Sequence, residues 1–366
     1  MAKMKTDEML RIVNENIAKL KNKDSTLYFF ELDTKGNPSP SLEDIYHTAL
    51  VLHERGHKVV MLHQENEFVG VREWLGEKYS SLPHMNVEKD NVEISASDFL
   101  FIPEIFANVM LQTKKLPCKR VVIVQNYTNV CEFMPVSQTL DSLGIIDVIA
   151  TSKLQEEKIK SYFPNIRTFV VTPSVKKMFR ENNDIPRKMI INIVSKEQSD
   201  ANRIVKPFYW KNPVYRWVTF RDIRGLSKEY TAEALREAAI TIWVDDKTDF
   251  GTSLIEAVKC GGIVIAKVPN NIETWMKDGD ELTKAILWFN DIDEISDLLP
   301  SVIHSWISDL VPEEVYENQK TLMPLFTEDV QTLEIIECYE KNIIEKRLKD
   351  FEEAKADIEN KSKNND

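Results

Sequence analysis

The chain has 366 residues, 43% of them hydrophobic, and a formal charge of −12 at pH 7. That length accommodates two domains of ordinary size, and an acidic balance spread along the whole sequence disfavours general attraction to polyanions. No apolar run approaches the roughly 20 residues of a spanning helix and the first ten residues carry no signal-peptide core, so a cytoplasmic location is expected. Cys118, Cys131, Cys260 and Cys338 lack the CxxC spacing of a zinc knuckle or redox pair and read as reduced thiols.

In chain order, residues 6–21 place Met9, Ile12, Val13, Ile17 and Leu20 on one face of an added amphipathic helix. Residues 27–30 read as a strand, 34–40 as a loop rich in Gly and Pro, 41–55 as a helix, and 56–62 as a turn through His57 into a second strand. Further apolar strands follow at 98–103, 121–124, 147–150 and 169–171. The third of these six is followed by a loop, and the fourth ends in Gln125-Asn126-Tyr127, whose amides can donate and accept hydrogen bonds to hydroxyls. Apolar strand, polar loop and helix recur in this order, which predicts a doubly wound parallel sheet. Residues 174–188 are charged and poor in apolar side chains, the best linker in the chain.

A second sheet starts at 189–194 and leads into the polar run from Ser195 to Arg203. Phe208, Tyr209, Trp210 and Lys211, with Tyr215, Arg216, Trp217, Arg221 and Arg224, form an aromatic and basic cluster. Such a cluster either stacks bases and contacts phosphates or packs a helix and strand with its charges at the rim. Residues 217–220 suit a strand and 227–239 a helix. Then comes a strand at 241–244, a loop, and Ser253-Leu254-Ile255-Glu256, which fits a capping box opening a helix. Cys260-Gly261-Gly262 stops that helix, and Ile263-Val264-Ile265 begins the next strand. Helical segments are expected around 281–289, 292–299 and 303–310, a closing helix at 328–346, and a charged, disordered tail at 347–366.

The run Asp249-Phe250-Gly251-Thr252-Ser253-Leu254-Ile255-Glu256-Ala257, followed by Cys260-Gly261-Gly262-Ile263-Val264-Ile265-Ala266 and then Asn270 to Glu273, resembles the donor-binding signature of GT-B glycosyltransferases. The resemblance extends over about residues 25–345. It implies an α/β fold of two Rossmann-like parallel-sheet domains facing each other across a cleft: an N-terminal acceptor domain over 1–175, a linker at 176–188, a donor domain over 189–327, and a helix at 328–346 that crosses back.

By the same resemblance Glu256 holds the donor ribose, and Phe250, Gly251 and the amides of Thr252 and Ser253 form the diphosphate-facing turn. Lys196 stands at the position of a cation that neutralises the diphosphate, and Arg203, or less directly Lys206, supplies a second only through a rearranged loop. Thr248 stands where the family has the first acid of its Glu-x7-Glu signature, with Asp249 one place along, so either residue is a candidate beside the donor sugar. Gln125 and Asn126 are the acceptor-side candidates, Gln125 replacing a histidine found in many relatives. The implied activity is transfer of a sugar from a nucleotide sugar to a hydroxyl with retention of configuration, without an obligatory cofactor or metal. Glycans, small molecules, proteins and hydroxylated DNA bases, as in viral DNA-modifying enzymes, are the candidate acceptors. The altered first acid leaves a catalytically silent binding module as the alternative.

Overall fold

The structure, a computed structural model, describes residues 2–181, 186–245, 250–269, 273 and 283–363. The chain divides into two compact units, one made of 1–172 with 331–366 and the other of 173–330.

The first unit runs through α1 (Ala2–Lys21), β1 (Thr26–Phe30), α2 (Pro40–Glu54), β2 (Lys58–His63), the short turns α3 (Arg72–Leu75) and α4 (Glu77–Ser80), β3 (His84–Asn86), β4 (Phe99–Pro103), α5 (Ala107–Gln112), β5 (Lys119–Val124), α6 (Tyr127–Phe133), β6 (Asp147–Ala150), α7 (Lys153–Tyr162) and β7 (Arg167–Val170). Its sheet is parallel in the order β3-β2-β1-β4-β5-β6-β7. The strand residues Leu27 to Phe30 and Phe99 to Ile102 are buried on both faces, as apolar runs in a covered parallel sheet must be. α2 starts where it does because Ser39 accepts the Leu42 amide at 3.3 Å and Pro40 occupies the first helical position. β3 has no counterpart in the sequence reading; its three residues are too few for a visible alternation.

The second unit comprises β8 (Lys188–Val194), α8 (Gln198–Lys211), β9 (Thr219–Asp222), α9 (Lys228–Glu237), β10 (Ala238–Trp243), α10 (Thr252–Lys259), β11 (Ile263–Lys267), β12 (Ile286–Phe289), α11 (Ile295–Ile307) and α12 (Glu313–Leu322). Its parallel sheet has the order β12-β11-β10-β8-β9. Residues 286–289, expected to be helical, form an edge strand because Ile286, Leu287, Trp288 and Phe289 pair in register with Val264 to Lys267. The segments expected at 292–299 and 303–310 merge into α11, which runs through Pro300. The expected linker is partly built into this unit: Val175 pairs with Thr327, Phe179 is buried, and Lys188 opens β8.

α13 (Glu328–Ile335), a π-helical stretch at Ile336–Ile344, and α14 (Glu345–Lys363) follow one another without a break. From Gln331 onward this segment belongs to the first unit, where Tyr339 sits 4.9 Å from the Phe101 ring, itself stacked on Phe29 at 4.7 Å. The tail expected to be disordered is helical as far as Lys363, since Leu348 and Phe351 pack on that core and α14 lies along α1. Lys21 and Glu352 tie the two helices together at 2.7 Å.

Candidate functional site

β10 ends at Trp243, and the chain then passes Val244 and the buried Asp245. Asp246, Lys247, Thr248 and Asp249 lie outside the described residues, so neither candidate for the first acid is located. Phe250 is buried with its ring edge-on to Phe326 at 5.4 Å. Gly251 takes φ 79°, ψ 35°, a left-handed geometry that suits glycine, and is the N-cap of α10. Its carbonyl accepts the amides of Leu254 at 2.9 Å and Ile255 at 3.1 Å.

The capping box expected at Ser253 is therefore replaced. The helix begins two residues earlier, and the Ser253 hydroxyl instead accepts the indole N–H of Trp243 at 2.9 Å. Thr252 and Ser253 become the first two helical residues, whose amides have no acceptor inside the helix and point along its positive end. At the far end Gly261 adopts φ +83°, and the Arg187 guanidinium donates to the Cys260 carbonyl and to Ala238 O at 2.9 Å and Arg236 O at 3.0 Å. A cation so placed complements the carboxyl ends of both α9 and α10. Cys260 is fully buried, and burial pushes its thiol up to about 12, in keeping with a packing role.

Glu256, in the second turn of α10, points inward and is only 4% exposed. Lys228, at the first position of α9, donates to its Oε1 at 2.5 Å. Ser195, Arg224, Ser253 and Glu256 line one recess of about 70 Å³, with Val194 and Ile223 among its apolar walls. Lys196 stands nearby in the β8–α8 loop, largely exposed, its ammonium 3.0 Å from Asp245. Arg203 lies inside α8 rather than in a loop and pairs with Asp293 at 3.2 Å. Glu273 is buried, while Asn270 to Ile272 lie outside the described residues.

Two residues escaped the sequence reading: Arg224, which lines the recess but was grouped with the aromatic cluster, and Lys228, the partner of Glu256, which directly follows the helix-capping Ser227. Of that cluster, Phe208 is buried against Phe220 and Tyr215, Lys211 pairs with Asp297, Arg221 with Glu237 and Arg224 with Asp222. Trp210 and Trp217 remain exposed.

In the first unit, Gln125 donates to Ser41 O at 2.7 Å, and the Asn126 side-chain oxygen caps α6 by accepting from Thr128 N at 2.8 Å. Beneath them Glu104, 3% exposed, accepts the Asn126 amide and the Asn129 side chain, each at 3.0 Å. Burial raises its carboxyl pKa above the usual range. Glu104 lies just past the strand end, where a lone acid after an apolar run gives no sequence signal of burial. His57 bonds Glu340 at 2.9 Å and so fastens the α2–β2 corner to the closing helix.

No protein-family model matches the chain, and no curated protein sequence does. Solved structures do. Sucrose-phosphate synthase from Thermosynechococcus elongatus superposes with a TM-score of 0.59 at 11% identity, covering 87% of this chain and 98% of its own. A glycosyltransferase from Rickettsia africae gives 0.58 at 13% identity over 87% and 98%. The pneumococcal O-GlcNAc transferase GtfA, in complex with UDP and GlcNAc, gives 0.56 at 11% identity over 88% and 99%. The fold is GT-B. In this GT-B chain the recess at Glu256 lies at the carboxyl ends of β8 and β10 and at the amino end of α10, the place where parallel α/β sheets take ligands. No described helix is long and apolar enough to cross a membrane.

Proposed function

We propose that this chain transfers a sugar from a nucleotide-sugar donor to an acceptor hydroxyl, retaining configuration, with the donor nucleotide held by the second unit. The observation that carries this reading is the buried carboxylate of Glu256 on the wall of a small recess at the amino end of α10. A carboxylate there accepts hydrogen bonds from the paired hydroxyls of a ribose, and such charge-assisted bonds are worth about 1.5–3 kcal/mol. The outward amides of Thr252 and Ser253 and the α10 dipole suit a diphosphate. As the bond between the sugar and the diphosphate breaks, negative charge collects on the leaving oxygen, and Arg224, which lines the recess, and Lys196 beside it are proposed as the cations that stabilise it. Thr248 and Asp249 are proposed beside the donor sugar, with Phe250 and Gly251 shaping the turn. Gln125 and Asn126, steadied by Glu104, are proposed on the acceptor side, with Arg203 a more distant contributor to the donor charge.

A hydroxylated DNA base is the least favoured acceptor, because Lys211 and Arg221 are already engaged by carboxylates. One observation favours the second reading, a silent nucleotide-binding GT-B module: Lys196 and Arg203 are both paired with aspartates. A panel of nucleotide sugars decides between them. Thermal stabilisation with release of free nucleotide supports the transferase, stabilisation without release supports the module, and neither effect refutes both.

A further inference from the structure

At the opposite end of the first unit's sheet lies a cavity of about 440 Å³, lined by Lys114, Lys119, Arg120 and Arg347 with Asp141 and the Gly144 turn. Four cations face one carboxylate there, in a chain whose formal charge is −12. Lys119 and Arg167 share the buried Asp147, at 2.7 Å each, so that trio keeps a net positive charge. Arg120 is buried and donates only to carbonyls, Met110 O at 3.0 Å and Leu143 O. Arg347 donates to Ala96 O at 2.9 Å and stacks on the Phe351 ring at 4.5 Å, while the nearby Asp350 is taken by Lys346 at 3.0 Å. Among the described residues no carboxylate oxygen lies within the 4.0 Å of an ion pair from Arg120, Arg347 or Lys114. Burial, the largest influence on both guanidiniums, depresses their pKa values.

Desolvated cations without counter-charges are costly unless an anion completes the site. We propose that this cavity binds a phosphate-bearing anion, with Arg120 and Arg347 as its fixed donors and the exposed Lys114 as a mobile one. Guanidinium forks match the oxygens of phosphate, and the volume falls within the roughly 300–1,000 Å³ of small-ligand sites, enough for an organic phosphate rather than a lone ion. The six residues of β5 separate Lys119 from Gln125, about 20 Å at the rise of a strand, so this site is distinct from the acceptor-side loops and independent of the donor reading.

The test is calorimetric titration of the full chain with inorganic pyrophosphate at low salt, beside sedimentation with phosphatidylcholine vesicles containing phosphatidic acid. Saturable binding of either probe is expected, weakened about tenfold or more in Lys114→Glu and in Arg347→Gln but unchanged in Lys320→Glu, at an exposed position of α12. Lys114 is exposed, so its variant carries the test even where Arg347→Gln loosens α14. Binding of pyrophosphate alone identifies a free metabolite as the source, and vesicle binding lost in Lys114→Glu identifies a lipid headgroup. Absence of saturable binding, or binding that both pocket variants leave intact, overturns the proposal.

Discussion

Lys228 and Glu256 meet at 2.5 Å, joining the first turn of α9 to the second turn of α10 with both side chains largely withdrawn from water. The lysine fixes the carboxylate on the wall of the recess. Removing one partner of a buried pair strands the other, at about 3–5 kcal/mol, whereas removing both is far less damaging. Lys228→Met should therefore destabilise the second unit strongly, and Lys228→Met/Glu256→Leu should recover most of the loss in urea unfolding. The double variant should still bind UDP about 10- to 100-fold more weakly than wild type by calorimetry, because the ribose acceptor is gone.

Gly251 sets a second expectation. Its left-handed φ of 79° penalises any side chain, so Gly251→Ala should cost about 1 kcal/mol and weaken UDP binding, while Thr252→Ala should leave stability nearly unchanged. Thermal melts with and without UDP read both effects.

Glu340 accepts from Arg55 at 2.7 Å and from His57 at 2.9 Å, with Lys23 at 3.6 Å. The Arg55 hydrogen bond is the main reason its pKa falls to about 2. A depressed carboxylate stabilises the fold above its unfolded pKa, and that stability drains away as pH falls toward the folded value. The loss should therefore run from about pH 4.5 to about pH 2. Glu340→Gln should lower stability at pH 7 by about 2 kcal/mol, the half-exposed Arg55 limiting the gain, and flatten that acid limb in pH-dependent denaturation.

At Lys259 the fold disfavours the charged form instead. This lysine is 3% exposed, donates to Leu325 O at 2.5 Å, and burial depresses its pKa to about 8. Between about pH 8 and pH 10.5 the unfolded chain binds more protons than the folded one, so stability should rise with pH across that window by up to about 2–3 kcal/mol. Lys259→Met should abolish the rise, as urea unfolding at pH 7 and pH 9.5 will reveal.

Much of the fold is legible in the sequence because buried parallel strands must be continuous apolar runs, as at 27–30, 99–102 and 240–243. The misassigned elements share a physical cause. Residues 286–289 are too few to display a period, and only their partner β11 makes them a strand. Residues 345–363 are charged enough to suggest disorder, yet Leu348 and Phe351 at helical spacing suffice once α1 and the core receive them. In the site, Glu256 was legible through its spacing from Phe250-Gly251, but its partner Lys228 is set by how α9 packs beside α10, which no local pattern encodes. Ser253 shows the converse: a hydroxyl three residues before a glutamate suggested a cap, and the nearby Trp243 indole claimed it instead.

The return of the chain from the second unit to the first has a bearing on biosynthesis. Because Tyr339 and Ile343 complete the core built around Phe29 and Phe101, a nascent chain emerging from the ribosome leaves that core open until residues 339–343 are made. The intervening unit, contiguous from 173 to 330, has all its strands available earlier and can close first. Truncation before Tyr339 is expected to leave the aromatic interior of the first unit exposed to chaperones and proteases.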